Sequence, residues 1–247
     1  MNEFVTILGI RIDNITEDEA VQRIQEFIEA GTPHQVVTVN PEFLVQAKEN
    51  AAFHRVLASS HLALADGVGL LWAARFLGCA LRTRVTGVDL MKSLAKLAAA
   101  KGYRLFLLGA AEGTAESAAG VLKKEFPGLQ VEGTYAGSPA PEEEDRIIET
   151  INLAKPHLLF VAYGAPQQDL WICRNLHRLK VPAAIGVGGA FDFVSGKARR
   201  APLWMRRRGL EWLYRLGQEP WRWRRMLRLP RFVCMVLWNQ YSPRGTR

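Results

Sequence analysis

The sequence predicts an α/β fold: a Rossmann-like, mostly parallel sheet with helices on both faces, followed by a basic amphipathic helical appendage at the C-terminus. Three observations carry that expectation. Short apolar runs of strand length alternate with helical patterns through residues 1–196 of the 247, the signature of repeated βαβ units. Each run ends in glycine or in small and polar residues, as strand-to-helix turns at the edge of a parallel sheet do. From residue 197 onward the composition changes. The tail holds fourteen Lys and Arg against only Glu211 and Glu219, whereas residues 1–196 carry 18 basic and 22 acidic groups; five of the seven tryptophans are also in the tail. Two units are therefore expected, an α/β domain over 1–196 and the appendage over 197–247.

The elements follow in order. A strand or hairpin is expected over 4–12, and Thr16-Glu17-Asp18-Glu19 fits a capping box that starts a helix running to about residue 30. Strands are then predicted at 35–39, 62–65, 104–108, 130–135, 157–162 and 183–187. Helical patterns at 42–58, 69–77, 88–101, 114–125, 142–154 and 167–179 separate them. In the tail, 203–216 reads as a basic, Trp-rich amphipathic helix, and Pro220 interrupts the pattern before Trp221-Arg222-Trp223-Arg224-Arg225.

Composition narrows the class. Apolar residues make up 49% and charged residues 23%, which suits a chain that folds around a core. The longest stretch without Asp, Glu, Lys or Arg is residues 156–168, well short of the roughly 20 apolar residues that cross a bilayer. The first residues lack a basic n-region, and Arg11 and Asp13 interrupt any apolar core, so no signal peptide is expected and the predicted location is cytoplasmic. Cys79, Cys173 and Cys234 are widely spaced and odd in number, which reads as inert thiols. Neither a dinucleotide fingerprint after the first strand nor a P-loop occurs, which sets dehydrogenases and NTPases behind. No D-x-D pair is present to hold a divalent ion on a sugar diphosphate, and His34, His54, His61, His157 and His177 lack metal-ligand spacing. No metal or other cofactor is expected.

In open α/β sheets ligands sit beyond the carboxyl ends of the strands, where glycine lets backbone approach and helix N-termini favour anions. The corresponding segments here are Val36-Val37-Thr38-Val39-Asn40-Pro41-Glu42, Leu64-Ala65-Asp66-Gly67-Val68-Gly69, Arg82-Thr83-Arg84-Val85-Thr86-Gly87-Val88-Asp89, Phe106-Leu107-Leu108-Gly109-Ala110, Ala162-Tyr163-Gly164-Ala165-Pro166-Gln167-Gln168 and Gly186-Val187-Gly188-Gly189-Ala190-Phe191-Asp192. In order and spacing they resemble the motifs of the WecG/TagA/CpsF glycosyltransferase family, over nearly the whole chain. The resemblance implies an inverting transferase. Its donor would be a UDP-linked N-acetylhexosamine of the N-acetylmannosamine type, and its acceptor GlcNAc linked to undecaprenyl diphosphate, on the route to teichoic acid linkage units or related surface polysaccharides.

Such a single displacement needs a base for the attacking hydroxyl, and Asp66, at the end of an apolar strand before Gly67-Val68-Gly69, suits that role. The alternative is an Asp that caps the next helix. A leaving diphosphate without a metal needs fixed cations or backbone donors, for which Arg84 is the candidate in the body, against the alternative of a solvated surface Arg. Thr38, Asn40 and Gln168 stand at strand ends, where each either orients sugar or acceptor or caps a helix. Gly109, Ala110, Gly164 and Gly188 belong to loops expected to border substrate. Asp192 is a candidate for ribose or uracil, and Tyr135 or Tyr163 for stacking on the base, with ordinary packing as the alternative.

Tryptophan and arginine on one helix suit an anionic membrane surface, each basic residue near it adding about 1 kcal/mol. A peripheral position on the inner face of the membrane is expected. Arg215, Arg222 and Arg225 would share one stripe of a continuous helix, a register that Pro220 qualifies; the resemblance implies that these arginines close over the site and bind diphosphate, the alternative being lipid-facing charge. Self-association is left open. Two rival classes remain: a basic-tailed nucleic-acid-binding protein, against which the acidic body counts, and an NAD-dependent nucleotide-sugar enzyme, against which the missing fingerprint counts.

Overall fold

The computed structural model describes residues 2–220 and 223–241. A short antiparallel hairpin, β1 (Phe4–Ile7) and β2 (Ile10–Asp13), precedes α1 (Glu17–Ala30). Thr16 accepts from the Glu19 N–H while the Glu19 carboxylate accepts from the Thr16 N–H, so the expected capping box starts this helix, and Gly31 closes it at φ +69°. Next come β3 (His34–Val39), α2 (Pro41–Glu49), α3 (Ala51–Ser59), β4 (Leu62–Ala65), α4 (Val68–Phe76), α5 (Gly87–Lys101) and β5 (Arg104–Gly109). The body continues through α6 (Thr114–Glu125), β6 (Gln130–Tyr135), α7 (Glu144–Ala154), β7 (Leu158–Ala162), α8 (Gln167–Asn175), β8 (Ala183–Gly186) and α9 (Ala190–Val194).

Strands β3 to β8 form one parallel six-stranded sheet in the order β4-β3-β8-β7-β5-β6. Alternation along the strands divides the core. Val36, Leu107 and Ile185 face α1, α5, α6 and α9, whereas Val37, Leu108 and Ala184 face the opposite helices. On that second face α7 and α8 cover the β5–β7 side, while the hairpin, α2, α3 and α4 cover the β3–β4 side. The edge strand β4 is closed by Asp13, whose carboxylate accepts the Ala63 N–H at 2.8 Å.

Two predicted helices differ in extent. The pattern over 42–58 is two helices, because Asn50 leaves helical geometry (φ −126°, ψ 99°) and its side chain accepts the Phe53 N–H, capping α3. The helix expected over 167–179 ends at Asn175.

The appendage folds as α10 (Leu203–Arg207), α11 (Glu211–Gln218), α12 (Trp223–Met226) and α13 (Arg228–Tyr241). It does not stand apart. Phe232 and Val236 of α13, each 1% exposed, join the core beneath α2, so residue 196 marks a boundary of composition rather than of packing. The expected single helix over 203–216 is two pieces broken at Gly209 (φ +74°), and Arg215 and Arg225 lie on separate helices rather than on one continuous stripe. No helix among the described residues is long and apolar enough to cross a membrane.

Candidate active site

From β3 the chain steps outward to β4, and from β5 outward to β6, so the direction of winding reverses across the sheet. Such a reversal opens a crevice at the carboxyl ends of the strands. A cleft of about 960 Å³ occupies that position, floored by the loops after β3, β4, β7 and β8 and roofed by the appendage.

Asp66 lies on the floor directly after β4. Its N–H donates to the Val39 carbonyl at 2.6 Å, and Val85 N–H donates to Ala65, which fixes the strand end on both sides. The N-cap of α4 is Gly67, without a side-chain capping bond, so Asp66 does not cap that helix; its carboxylate lies instead near the Gly87 N–H at the start of α5, which favours its charged form. Asp66 is half-buried and touches the cavity, but protein surrounds it on the remaining sides. Burial raises its pKa from 3.8 to about 7; Glu211 and Asp89 reinforce the shift, while Arg84 and the Gly87 N–H oppose it. The result is a carboxyl able to hold or release a proton near neutrality.

Beside it runs a charged chain. Arg84 lies 3.5 Å from Glu211, Glu211 3.6 Å from Arg200, and Arg200 grips Asp89 with two bonds of 2.5 and 3.1 Å. Burial works to raise the Asp89 pKa, but the bonds from Arg200 and Thr86 and the charges of Arg200 and Arg206 outweigh it and hold the carboxylate below its usual value. Thr86 and Asp89 together cap α5, so this chain is anchored on a helix N-terminus.

The remaining predicted residues separate into those that the fold gathers and those it does not. Thr38 borders the cleft, its hydroxyl donating to Gly186 at 3.0 Å and tying β3 to β8. Asn40 caps α2 by accepting the Phe43 N–H, and the same residue borders the cleft. Gln168 is wholly buried at the cleft base; its Oε1 accepts both the Gly164 N–H (3.2 Å) and the Gly188 N–H (2.9 Å), stapling two strand-end loops together. Ala110 lines the cleft at φ +64°, whereas Gly109 stands behind it, where a Cβ would meet the Ala162 carbonyl carbon at 2.9 Å. Of the two tyrosines, Tyr163 borders the cleft and Tyr135 does not; Tyr135 packs under Arg146. Burial, then Glu143 and Tyr135, drive the Tyr163 hydroxyl upward, so it stays protonated. Asp192 lines the cleft beside Gly189.

From the tail, Arg215 reaches the β8 loop, its guanidinium over the Phe193 ring at 4.9 Å, and Arg225 borders the cleft while pairing with Glu42 at 2.9 Å. Arg222 lies outside the described residues. Sequence reasoning missed Glu211, Arg200, Asp89, Trp72 and Trp212, of which all but Asp89 border the cleft. Glu211 left a signal, being one of two acids among fourteen bases. Trp72, 40% exposed and stacked on Phe76, and Trp212, 41% exposed, place apolar surface at the rim. Among the described residues no group of three or more His, Cys, Asp or Glu is arranged to hold a metal ion.

A sequence profile described as the glycosyl transferase WecG/TagA/CpsF family matches residues 5–246. The chain is 37% identical over 202 residues to the N-acetylglucosaminyldiphosphoundecaprenol N-acetyl-beta-D-mannosaminyltransferase of Bacillus spizizenii (strain ATCC 23059 / NRRL B-14472 / W23), covering 82% of this chain and 78% of that protein. It is 36% identical to the enzyme of the same description from Bacillus subtilis (strain 168), with the same coverage. A Staphylococcus aureus (strain MW2) protein of that description is 30% identical over 227 residues, covering 91% of this chain and 87% of its own length.

Proposed function

Because the chain belongs to the WecG/TagA/CpsF glycosyltransferase family, we propose that it transfers N-acetylmannosamine, or a closely related N-acetylhexosamine, from a UDP-sugar to GlcNAc carried on undecaprenyl diphosphate. The sugar-lipid acceptor is the one named for the relatives, and a role in teichoic acid linkage units or similar surface polymers follows from such a product. The observation that carries the reading is Asp66: a carboxyl at the floor of a strand-end cleft, raised to about 7, within a cluster of arginines.

The chemistry is a single displacement with inversion. Asp66 accepts the proton of the attacking GlcNAc hydroxyl as its oxygen bonds to the donor's anomeric carbon, and the bond from that carbon to the phosphate oxygen breaks. UDP leaves with the electron pair. Arg84, Arg215 and Arg225 offer fixed positive charge to the diphosphate, a substitute for a metal ion, so the reaction proceeds without one. Gln168 acts on the backbone, holding the Gly164 and Gly188 loops in place beneath the substrates. Tyr163 and Asp192 border the same cleft and suit contacts to the base and ribose.

The exposed Trp204, Trp212, Trp223 and Leu227, interleaved with arginines, suit the headgroup layer of an anionic membrane. The acceptor is fixed in that layer by its lipid, so an enzyme lying on the inner face meets it directly. The test is product analysis with a panel of UDP-sugars and a lipid-diphosphate-GlcNAc analogue in the presence of EDTA. A new disaccharide with inverted linkage is expected, undiminished by the chelator; turnover that needs added magnesium or manganese would refute metal-free leaving-group stabilisation.

A further inference from the structure

The appendage delivers an acid to the cleft as well as bases. Glu211 opens α11, and its carboxylate lies between two guanidiniums, one oxygen 3.5 Å from Arg84 and the other 3.6 Å from Nε of Arg200. Both separations are ion-pair contacts longer than ordinary hydrogen bonds. Arg200 commits its two terminal nitrogens to Asp89, which leaves Nε buried without a hydrogen-bond acceptor. The Arg84 side chain makes no hydrogen bond among the described residues, and both arginines border the cleft.

Buried cationic donors without close acceptors are unfavourable, and forked guanidiniums match the oxygens of phosphate. We infer that Arg84 and Arg200 form a diphosphate-binding subsite whose resident counter-ion is Glu211, and that an arriving phosphate takes the place of Glu211. The inference rests on the transferase reading only for the choice of diphosphate as ligand.

Two features make the exchange feasible. Helix α11 buries none of its residues, so its first turn moves without opening the core. A diphosphate beside a fixed Glu211, with Asp66 and Asp89 already near, would gather like charges, so the acid must yield. Arg200 thereby becomes a binding residue, with Asp89 as the group that holds its fork in position.

Calorimetric titration of the full chain with inorganic pyrophosphate tests this without requiring turnover. Glu211→Gln is expected to bind pyrophosphate about ten-fold tighter than the parent, equivalent to about 1.4 kcal/mol. Glu211→Asp, which keeps the charge, is expected to behave as the parent. Arg84→Gln is expected to weaken binding, and the gain is expected to vanish in Glu211→Gln combined with Arg200→Gln. Parallel titrations with UDP and with geranyl diphosphate name the source: a gain confined to one assigns the subsite to the donor or to the lipid acceptor. Unchanged or weaker pyrophosphate binding in a folded Glu211→Gln protein would overturn the proposal, as would a gain that survives loss of Arg200. Tighter pyrophosphate binding with no sugar transfer by the parent would defeat the transferase reading and leave this subsite standing.

Discussion

Helices α11 and α13 come from the same basic, tryptophan-rich appendage, yet different forces hold them. Helix α13 drives Phe232 and Val236 into the core beside α2 and frames that contact with ion pairs from Arg228 to Glu42 and Arg231 to Glu49. Helix α11 buries nothing; it reaches the body through Glu211 and Arg215, while Trp212 and Leu213 stay 41% and 46% exposed. One helix is structural and the other is a charged cover over a cleft. The difference teaches that a run of uniform composition can serve two purposes once the chain decides which side chains find a core.

Phe232→Ala should give the largest effect, a loss of about 3–5 kcal/mol in chemical denaturation, because it empties a filled core position. Trp212→Ala should change stability by no more than about 0.5 kcal/mol and should instead reduce sedimentation with anionic vesicles. Equal destabilisation by the two would erase the distinction between the helices.

Beneath the cover, Asp66→Asn should cut turnover by about 100-fold or more while the variant still folds and binds UDP with near-parental affinity. In the parent, kcat/KM should rise with pH through about 7, as the carboxyl loses its proton and becomes a base, and the variant should lack that limb. Near-parental turnover in Asp66→Asn would remove it from the chemistry.

A second acid sharpens the contrast between cleft and core. Asp169 has no exposed surface, packs against Gly186, and is likewise raised by burial from 3.8 to about 7, although the nearby Gln168 amide works the other way. Its folded pKa lies above its unfolded value, so its contribution to stability is full below about 4 and is lost as pH rises through about 7. Asp169→Asn should therefore melt higher than the parent at pH 8 and match it at pH 4. The opposite order would show that the buried carboxylate is stabilised by a partner.

Within α13 itself, Arg231→Ala should cost far less than Phe232→Ala, below about 1 kcal/mol, because the Arg231–Glu49 pair is largely solvent-exposed. A larger loss would mean that charge, rather than Phe232 and Val236, docks α13.

Local chemistry made much of this legible in advance. Alternating patterns located every strand of the sheet, and Thr16 with Glu19 marked the start of α1. Glycine and polar strand ends pointed to the edge where the cleft lies, with Asp66 and Arg84 among the residues gathered there. The break at Asn50 was visible only as one polar residue in a helical run, since Asn also occurs within helices at modest cost. Tyr135 and Tyr163 were indistinguishable because each stands at the end of a strand; strand order separated them, placing β6 at the sheet edge and β7 inside.

What the sequence by itself determined is what depends on near neighbours: strand and helix periodicity, caps, the polar turns, and the division into an acidic body and a basic tail. The tertiary structure alone decided the order β4-β3-β8-β7-β5-β6, the burial of Phe232 and Val236, and the meeting of Glu211 with Arg84, 127 positions earlier in the chain. Periodicity along a chain records which face of an element is buried but not which element covers it, and charges so distant in sequence interact only after the sheet has brought their loops to one edge.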